Sequence, residues 1–381
     1  MSVPRNCLFA ICTSLLLLSQ GLQAEPGVTP KEILIGQTVA LNGSTSEHGR
    51  AVVMGAKAYL DKVNAAGGIQ GRRIVLKTLD DGGNSGQAGE NTRKLIEGDG
   101  VLAVFGGIEG GPCEASMKVA TERKVPLVAC MAGSPALREP FSRYVFPVRA
   151  PHFNEFEKFI ETALQFGQKR IAFLHADNAN GQKHLANVKK LLAERKTELT
   201  LALPITSGAE KPDAAKLAQQ LIAAKVDAVF NHGGYGLYAQ VIKEVRARGG
   251  NIQFMAVNSG SHQLVQLLGT EARGLILTQV MPSPTSSTLP IVKEYREVLK
   301  KAVPNAEYSF SSLEGYISAR ALVEGLHRAG AKLSREQLVT AMEEMENVDL
   351  GGFHISYTKA RHQGAVFVDI LVVGADGRIF H

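Results

Sequence analysis

The chain reads as an α/β protein of two doubly wound, Rossmann-like lobes, and three observations predict this. Strand-like and helix-like patterns alternate over residues 33–107. A second alternating run of the same build spans residues 152–280. In the first run, the loop chemistry gathers where strands end, at 42–50, 80–86 and 106–111. Alternation of this length calls for parallel strands joined by right-handed crossovers, and such sheets place ligands beyond the carboxyl ends of their strands. Those three loops are therefore expected to share one edge.

Each element follows from its pattern. ILIGQTVAL (33–41) is a buried type of strand, and the next twenty residues carry apolar side chains at helical spacing up to a stop at Gly67 and Gly68. RRIVLKTLDD is a second strand, 85–97 a helix, and VLAVFGG a third strand ending in glycines. In the second run, helices are expected at 152–166, 181–193, 214–225 and 237–248. Strands are expected at 170–175, 199–204, 228–232, 254–257 and 274–280. Helices at 289–301, 312–329 and 335–345 follow, then strands at 365–373 and 377–380 around an Asp376-Gly377 turn.

Composition sets the class. At 381 residues, with 45% hydrophobic and 20% charged side chains, the chain can bury two cores. Residues 1–24 carry Arg5, an apolar run over 8–18 and Leu22-Gln23-Ala24 before Glu25, which is the build of a cleaved export signal. That run is too short to span a membrane, and no cysteine follows it to take a lipid anchor. A soluble exported protein is expected. Removing 1–24 takes away only Arg5 and leaves 41 basic against 36 acidic residues, a net charge of +5. The excess is spread along the chain without a basic run, so no nucleic-acid partner is expected. Cys113 and Cys130 are the two cysteines beyond the signal. In an oxidising compartment they either pair or stay as two buried thiols, and the spacing leaves both open.

Several blocks, in order, resemble one known family. VALNGSTSEHG, NAAGGIQGRRIVLKTLDDGG, NTRKLIE, VFGG, VPLVACMAGSPALRE, RYVFPVRAP, KRIAFLHADNANG, DAVFNHGGYG, ARGLILTQVMPSP and SFSSLEGYISARALVEGL are similar to the leucine/isoleucine/valine-type (type I) periplasmic substrate-binding proteins of ABC transporters. The resemblance covers nearly the whole chain beyond residue 24. It implies two lobes joined by a three-segment hinge, with crossings near 148–151, 278–282 and 352–357. The implied division is a signal at 1–24, a first lobe of 25–148 plus 280–352, and a second lobe of 149–279 plus 353–381. The implied partners are a small-molecule ligand and an ABC permease of the inner membrane, with the protein a periplasmic monomer.

Enzyme signatures are missing. The chain has no phosphate loop with a Gly-Lys pair, no zinc-protease helix, no Cys-x-x-Cys and no Gly-x-Ser-x-Gly elbow. GGIEGG at 106–111 fails the dinucleotide spacing. Ser259 or Ser261 with His262 has no acid at a recognised spacing, so neither an enzyme nor a cofactor is expected.

Ligand capture fits better. The turns at 107–112 and 131–135, which include Gly111, Met131, Ala132 and Gly133, are expected to offer helix N-terminal N–H groups to an anionic head, or merely to make tight turns. In amino-acid-binding members of the family, a serine and a threonine in these turns hold the carboxylate, and a glutamate of the other lobe holds the ammonium. Here those positions are Gly110 or Gly111, Gly133 and Asn258, while a common tyrosine position is Asn180. Tyr235 matches the family pattern. An amide is a weaker partner for an ammonium than a carboxylate is. Two readings follow. Either Glu109 replaces the missing counter-charge and the ligand is an amino acid or small amide, or the ligand lacks an ammonium and is a carboxylate, aromatic acid or neutral metabolite. His48 lies where the first loop reaches the cleft, and Tyr235 can both stack and donate there. A rival to import is a ligand-sensing protein that docks on a membrane receptor or signalling partner.

Overall fold

The computed structural model describes residues 25–205, 213–375 and 378–380. The export signal expected at 1–24 and the Asp376-Gly377 turn lie outside them. In the first lobe, β1 (Glu32–Val39), α1 (Ser46–Ala65), β2 (Arg73–Asp80), α2 (Ser85–Arg93), β3 (Ala103–Phe105), α3 (Gly110–Glu122), β4 (Leu127–Val128) and β5 (Val145–Phe146) follow in sequence. The five strands make one parallel sheet in the order β2-β1-β3-β4-β5. Register is set along its longest pair, from Ile33 beside Ile74 to Val39 beside Asp80. The helix expected at 85–97 ends in a π-helical turn, Lys94–Gly98.

The second lobe is built likewise from α4 (His152–Gln165), β6 (Ile171–Ala176), α5 (Ala179–Glu194), β7 (Leu199–Ile205), α6 (Ala214–Ala223), β8 (Ala228–His232), α7 (Tyr235–Ala247), β9 (Gln253–Ala256), α8 (Ser261–Leu268) and β10 (Ile276–Gln279). Asn178 and Asp213 cap α5 and α6 by accepting main-chain N–H bonds. The chain then returns to the first core through α9 (Pro290–Ala302), α10 (Phe310–Ala329) and α11 (Arg335–Glu343). Next come the short β11 (Val348–Asp349), β12 (His354–Thr358) and β13 (Arg361–Gly364), a small antiparallel sheet. Last are β14 (Asp369–Val373) and β15 (Ile379–Phe380), which complete a seven-stranded sheet in the order β15-β14-β10-β9-β8-β6-β7.

Two glycines set how the first lobe packs. A Cβ on Gly55 of α1 would lie 1.8 Å from the carbonyl oxygen of Ser312, and one on Gly315 of α10 would lie 2.1 Å from that of Val52. The helices cross backbone to backbone, a spacing that only glycine allows.

One expected boundary is corrected. Residues 353–364 were assigned to the second lobe, yet Phe353, Ile355 and Tyr357 are buried in the first core with Leu313 and Tyr316. Tyr357 donates its hydroxyl to Pro147 O at 2.9 Å, and its main-chain N–H bonds Met345 O. The last passage between the sheets therefore falls at 365–368, where β14 leaves to pair antiparallel with β10. β12 is a short strand with only two fully buried side chains, and its pattern does not say which core receives them.

Candidate functional site

Arg149 lies in the first connecting segment between the sheets and is 2% exposed. Its Nη2 donates to Asn258 Oδ1, in the turn after β9, and also lies 3.7 Å from Glu155 Oε1 of α4. Its Nη1 lies 3.7 Å from Glu314 Oε1 of α10. One guanidinium thus meets a carboxylate from the second lobe and another from the helical cover of the first. Arg149 also acts electrostatically on His48, in the first turn of α1, and on Glu109, just before α3. These turns lie at the carboxyl edges of both sheets, so Arg149 sits on the floor between them.

The three carboxylates differ in state. Burial opposes ionisation of Glu155, yet the charge and hydrogen bond of His152, with Arg149 and the Asn258 N–H, hold it at about 2. Both its oxygens are used: Oε1 takes His152 Nδ1 at 2.7 Å, and Oε2 takes Asn258 N at 2.8 Å and Thr278 Oγ1 at 2.5 Å. Glu314 is pushed up by burial, against the pull of Arg149, and its Oε1 has no hydrogen bond. Glu109 is likewise pushed up by burial, with Arg149 and His152 pulling it down, and it holds a left-handed φ of 67°. Its carboxylate makes no hydrogen bond among the described residues. Arg138 stands behind the group, donating to the main-chain carbonyl of Arg149 at 2.8 Å. Burial and Arg149 bring Arg138 down to about 9.

Beside this group three imidazoles pack together at the edge of the second sheet. The His184 and His232 ring centres are 3.8 Å apart, and His152 lies 5.4 Å and 4.8 Å from them. Burial lowers both: His184 falls far below its ordinary value and His232 to about 3, with neighbouring histidines adding to the effect. Among the described residues no group of three His, Cys, Asp or Glu side chains is arranged to hold a metal ion.

The structure distributes the sequence-derived candidates unevenly. His48, Glu109 and Asn258 gather around Arg149, and His48 is lowered to about 4 by burial and that guanidinium. Tyr235, 37% exposed, opens α7 with its ring against Gly260. Asn180, in the first turn of α5, accepts from Ser134 Oγ of the first lobe at 3.4 Å, so the lobes touch there. Gly111 is exposed on α3 beside the Ser85 hydroxyl.

The turn at 131–135 departs from its expected role. Met131 N bonds Gly107 O and Ala132 N bonds Cys130 O, so neither N–H is free for a ligand. The helix expected there is a single 3₁₀ turn, Pro135–Leu137, whose Ala136 N–H is taken by the Ser134 hydroxyl. Gly133 has no room for a side chain, because a Cβ would fall 2.6 Å from the His152 ring. Just behind these turns Cys113 and Cys130 form a disulfide with Cα atoms 5.8 Å apart, which decides between the two states left open by spacing.

Sequence reasoning missed Arg149, His152, Glu155 and Glu314. The signal was present in RAPHFNE, where Arg, His and Glu follow a strand within seven residues. Three chargeable groups at the start of a helix that must bury its apolar face are candidates for a paired internal cluster.

Two doubly wound lobes, with polar residues from both sheet edges converging on a connecting segment, define a protein that binds a small molecule between its lobes. Residues 32–378 match the periplasmic binding protein family model, and the chain belongs to that family. A Leu/Ile/Val-binding protein of Rhizobium johnstonii is 27% identical over 333 residues, covering 86% of this chain and 87% of its own. Two crystal structures are also similar. A substrate-binding periplasmic protein from Ralstonia solanacearum has 29% identity and a TM-score of 0.78, over 91% of this chain and 99% of that one. A possible leucine/isoleucine/valine-binding protein from Rhodopirellula baltica has 27% identity and a TM-score of 0.80, over 93% and 98%. Such relatives are substrate-binding proteins rather than enzymes, and they work with ABC transporters.

Proposed function

We propose that the chain is exported by its first 24 residues and captures a small organic molecule between its lobes. It closes by bending at the three connecting segments and delivers the solute as a monomer to an ABC permease of the inner membrane. The closed state is favoured only by contacts that the open state cannot make, so ligand atoms must touch both lobes. The ligand head differs from a free α-amino acid. The observation that carries this is the hydrogen bond from Arg149 to Asn258. Where amino-acid binders of this type place a glutamate for the ammonium, this chain has a neutral amide whose oxygen already serves a guanidinium. A cation is disfavoured there twice over, by the missing carboxylate and by the adjacent positive charge.

A thermal-shift panel on purified protein, stripped of carried ligand by unfolding and refolding, tests the reading. A ligand selective for the folded state raises the melting temperature, by an increment that grows with concentration. Solutes without an α-ammonium are expected to produce the shift, and Tyr235→Ala is expected to reduce it. A shift confined to free α-amino acids would refute the ligand class, and a shift unmoved by cleft substitutions would refute the cleft.

A further inference from the structure

We propose that Arg149 Nε and Glu314 Oε1 together bind the head of the solute, and that this head is a primary carboxamide. The inference rests on the cleft reading above and names the ligand chemistry of that cleft.

Arg149 and Glu314 are 2% and 3% exposed, and each keeps one buried polar atom without a hydrogen bond: the donor Nε and the acceptor Oε1. Buried polar atoms without partners are rare in folded proteins, because each costs the desolvation of a hydrogen-bonding group. These two belong to side chains 3.7 Å apart and are opposite in kind. The missing partner must therefore accept from a guanidinium N–H and donate to a carboxylate oxygen side by side. A primary carboxamide does both through its C=O and NH₂.

The neighbouring groups argue against other heads. Glu109, Glu155 and Glu314 set three carboxylates against the guanidiniums of Arg149 and Arg138. A ligand carboxylate would add a fourth negative charge to a buried group that already has an excess. An ammonium has three N–H donors, but the two oxygens of Glu155 are occupied and Glu314 has a single free one. It would also leave Arg149 Nε unsatisfied. A neutral head that accepts once and donates once fits the vacancy in hydrogen bonding without changing the charge.

The test is calorimetric titration of the stripped, refolded protein with matched probes: isobutyramide against isobutyrate, benzamide against benzoate, and leucinamide against leucine. At least one amide should bind about tenfold or more tightly than its acid, a difference of about 1.4 kcal/mol. Glu314→Leu should abolish that preference and Glu314→Gln, which keeps an acceptor oxygen, should restore part of it. Circular dichroism shows whether each variant is folded, and Arg149→Lys gives an independent second probe of the same anchor. Equal or better binding of the acids or of leucine, or amide binding that Glu314→Leu leaves unchanged while Tyr235→Ala removes it, would overturn the anchor and leave the cleft reading standing. Amide binding insensitive to both Glu314→Leu and Tyr235→Ala would overturn both. Failure of all six probes would overturn the anchor alone, since the cleft reading is judged by the wider thermal-shift panel.

Discussion

Arg149 and Asn258, 109 residues apart in sequence, are joined by a hydrogen bond from Nη2 to Oδ1, and this contact ties the first connecting segment to the edge of the second sheet. Glu314 of α10 meets the same guanidinium from the other side. The connection between the lobes is thus held by a buried charge shared between them, and its removal has a calculable direction.

Arg149→Met is expected to destabilise the protein by about 3 to 5 kcal/mol, because it leaves Glu155 and Glu314 buried without their cation. Arg149→Met combined with Glu314→Met should recover part of the loss, since apolar replacement of both partners relieves the stranded carboxylate. Urea denaturation followed by circular dichroism gives both values. A single variant as stable as the parent would show that the pair carries no stabilising charge interaction.

Acid should weaken the fold, beginning well above the carboxylate range. Unfolded histidine takes up its proton near 6.5, whereas burial holds folded His232 at about 3 and His48 at about 4. Between those values the unfolded chain binds more protons than the folded one, so stability is complete above 6.5 and falls as pH drops. Each such histidine contributes a slope of up to about 1.4 kcal/mol per pH unit. Glu155 adds a further loss between 4.5 and about 2, as its favourable ionised state is removed. Chemical denaturation at pH 7.5, 6 and 5 measures the slope, and His232→Phe should flatten it.

Gly315→Ala should cost about 1 to 3 kcal/mol, since the new methyl would fall 2.1 Å from the Val52 carbonyl oxygen and force α1 and α10 apart. Gly249→Ala provides no matching control, because Gly249 has a left-handed φ of 71°. Gly236→Ala does, in α7 with open space around the added carbon. The difference in melting temperature between the two variants isolates the helix contact.

Replacing both Cys113 and Cys130 by serine should lower stability by about 3 kcal/mol, the chain-entropy value for a loop near this length of 17 residues. The loss should be localised. Hydrogen exchange is expected to accelerate most at 106–111 and 129–133, which the disulfide pins together behind the cleft, and least in the second lobe. Uniform acceleration across both lobes would contradict a local role.

Much of the fold was legible because its signals are local. Apolar spacing marked β6, β8 and α7 within a few residues, and the strand-ending glycines at Gly106 and Gly107 marked where a ligand edge begins. Tyr235, Asn258, Glu109 and His48 were legible as candidates because each falls in a turn that the alternation places at a sheet edge. Less was readable where a partner lies far along the chain. The Met131 and Ala132 N–H groups looked available until the turns around them were seen to consume them.

By itself, then, the sequence determined two doubly wound lobes, their order of strands and helices, and the edges where polar turns collect, since periodicity and turn chemistry act over a few residues. Tertiary structure alone decided that β12 belongs to the first core, that Cys113 finds Cys130, and that His152 fills the space beside Gly133. It also decided that Arg149 stands between Asn258, Glu155 and Glu314. The partner of a buried charge is selected by desolvation and distance after the chain has closed over it, and no local pattern carries that information.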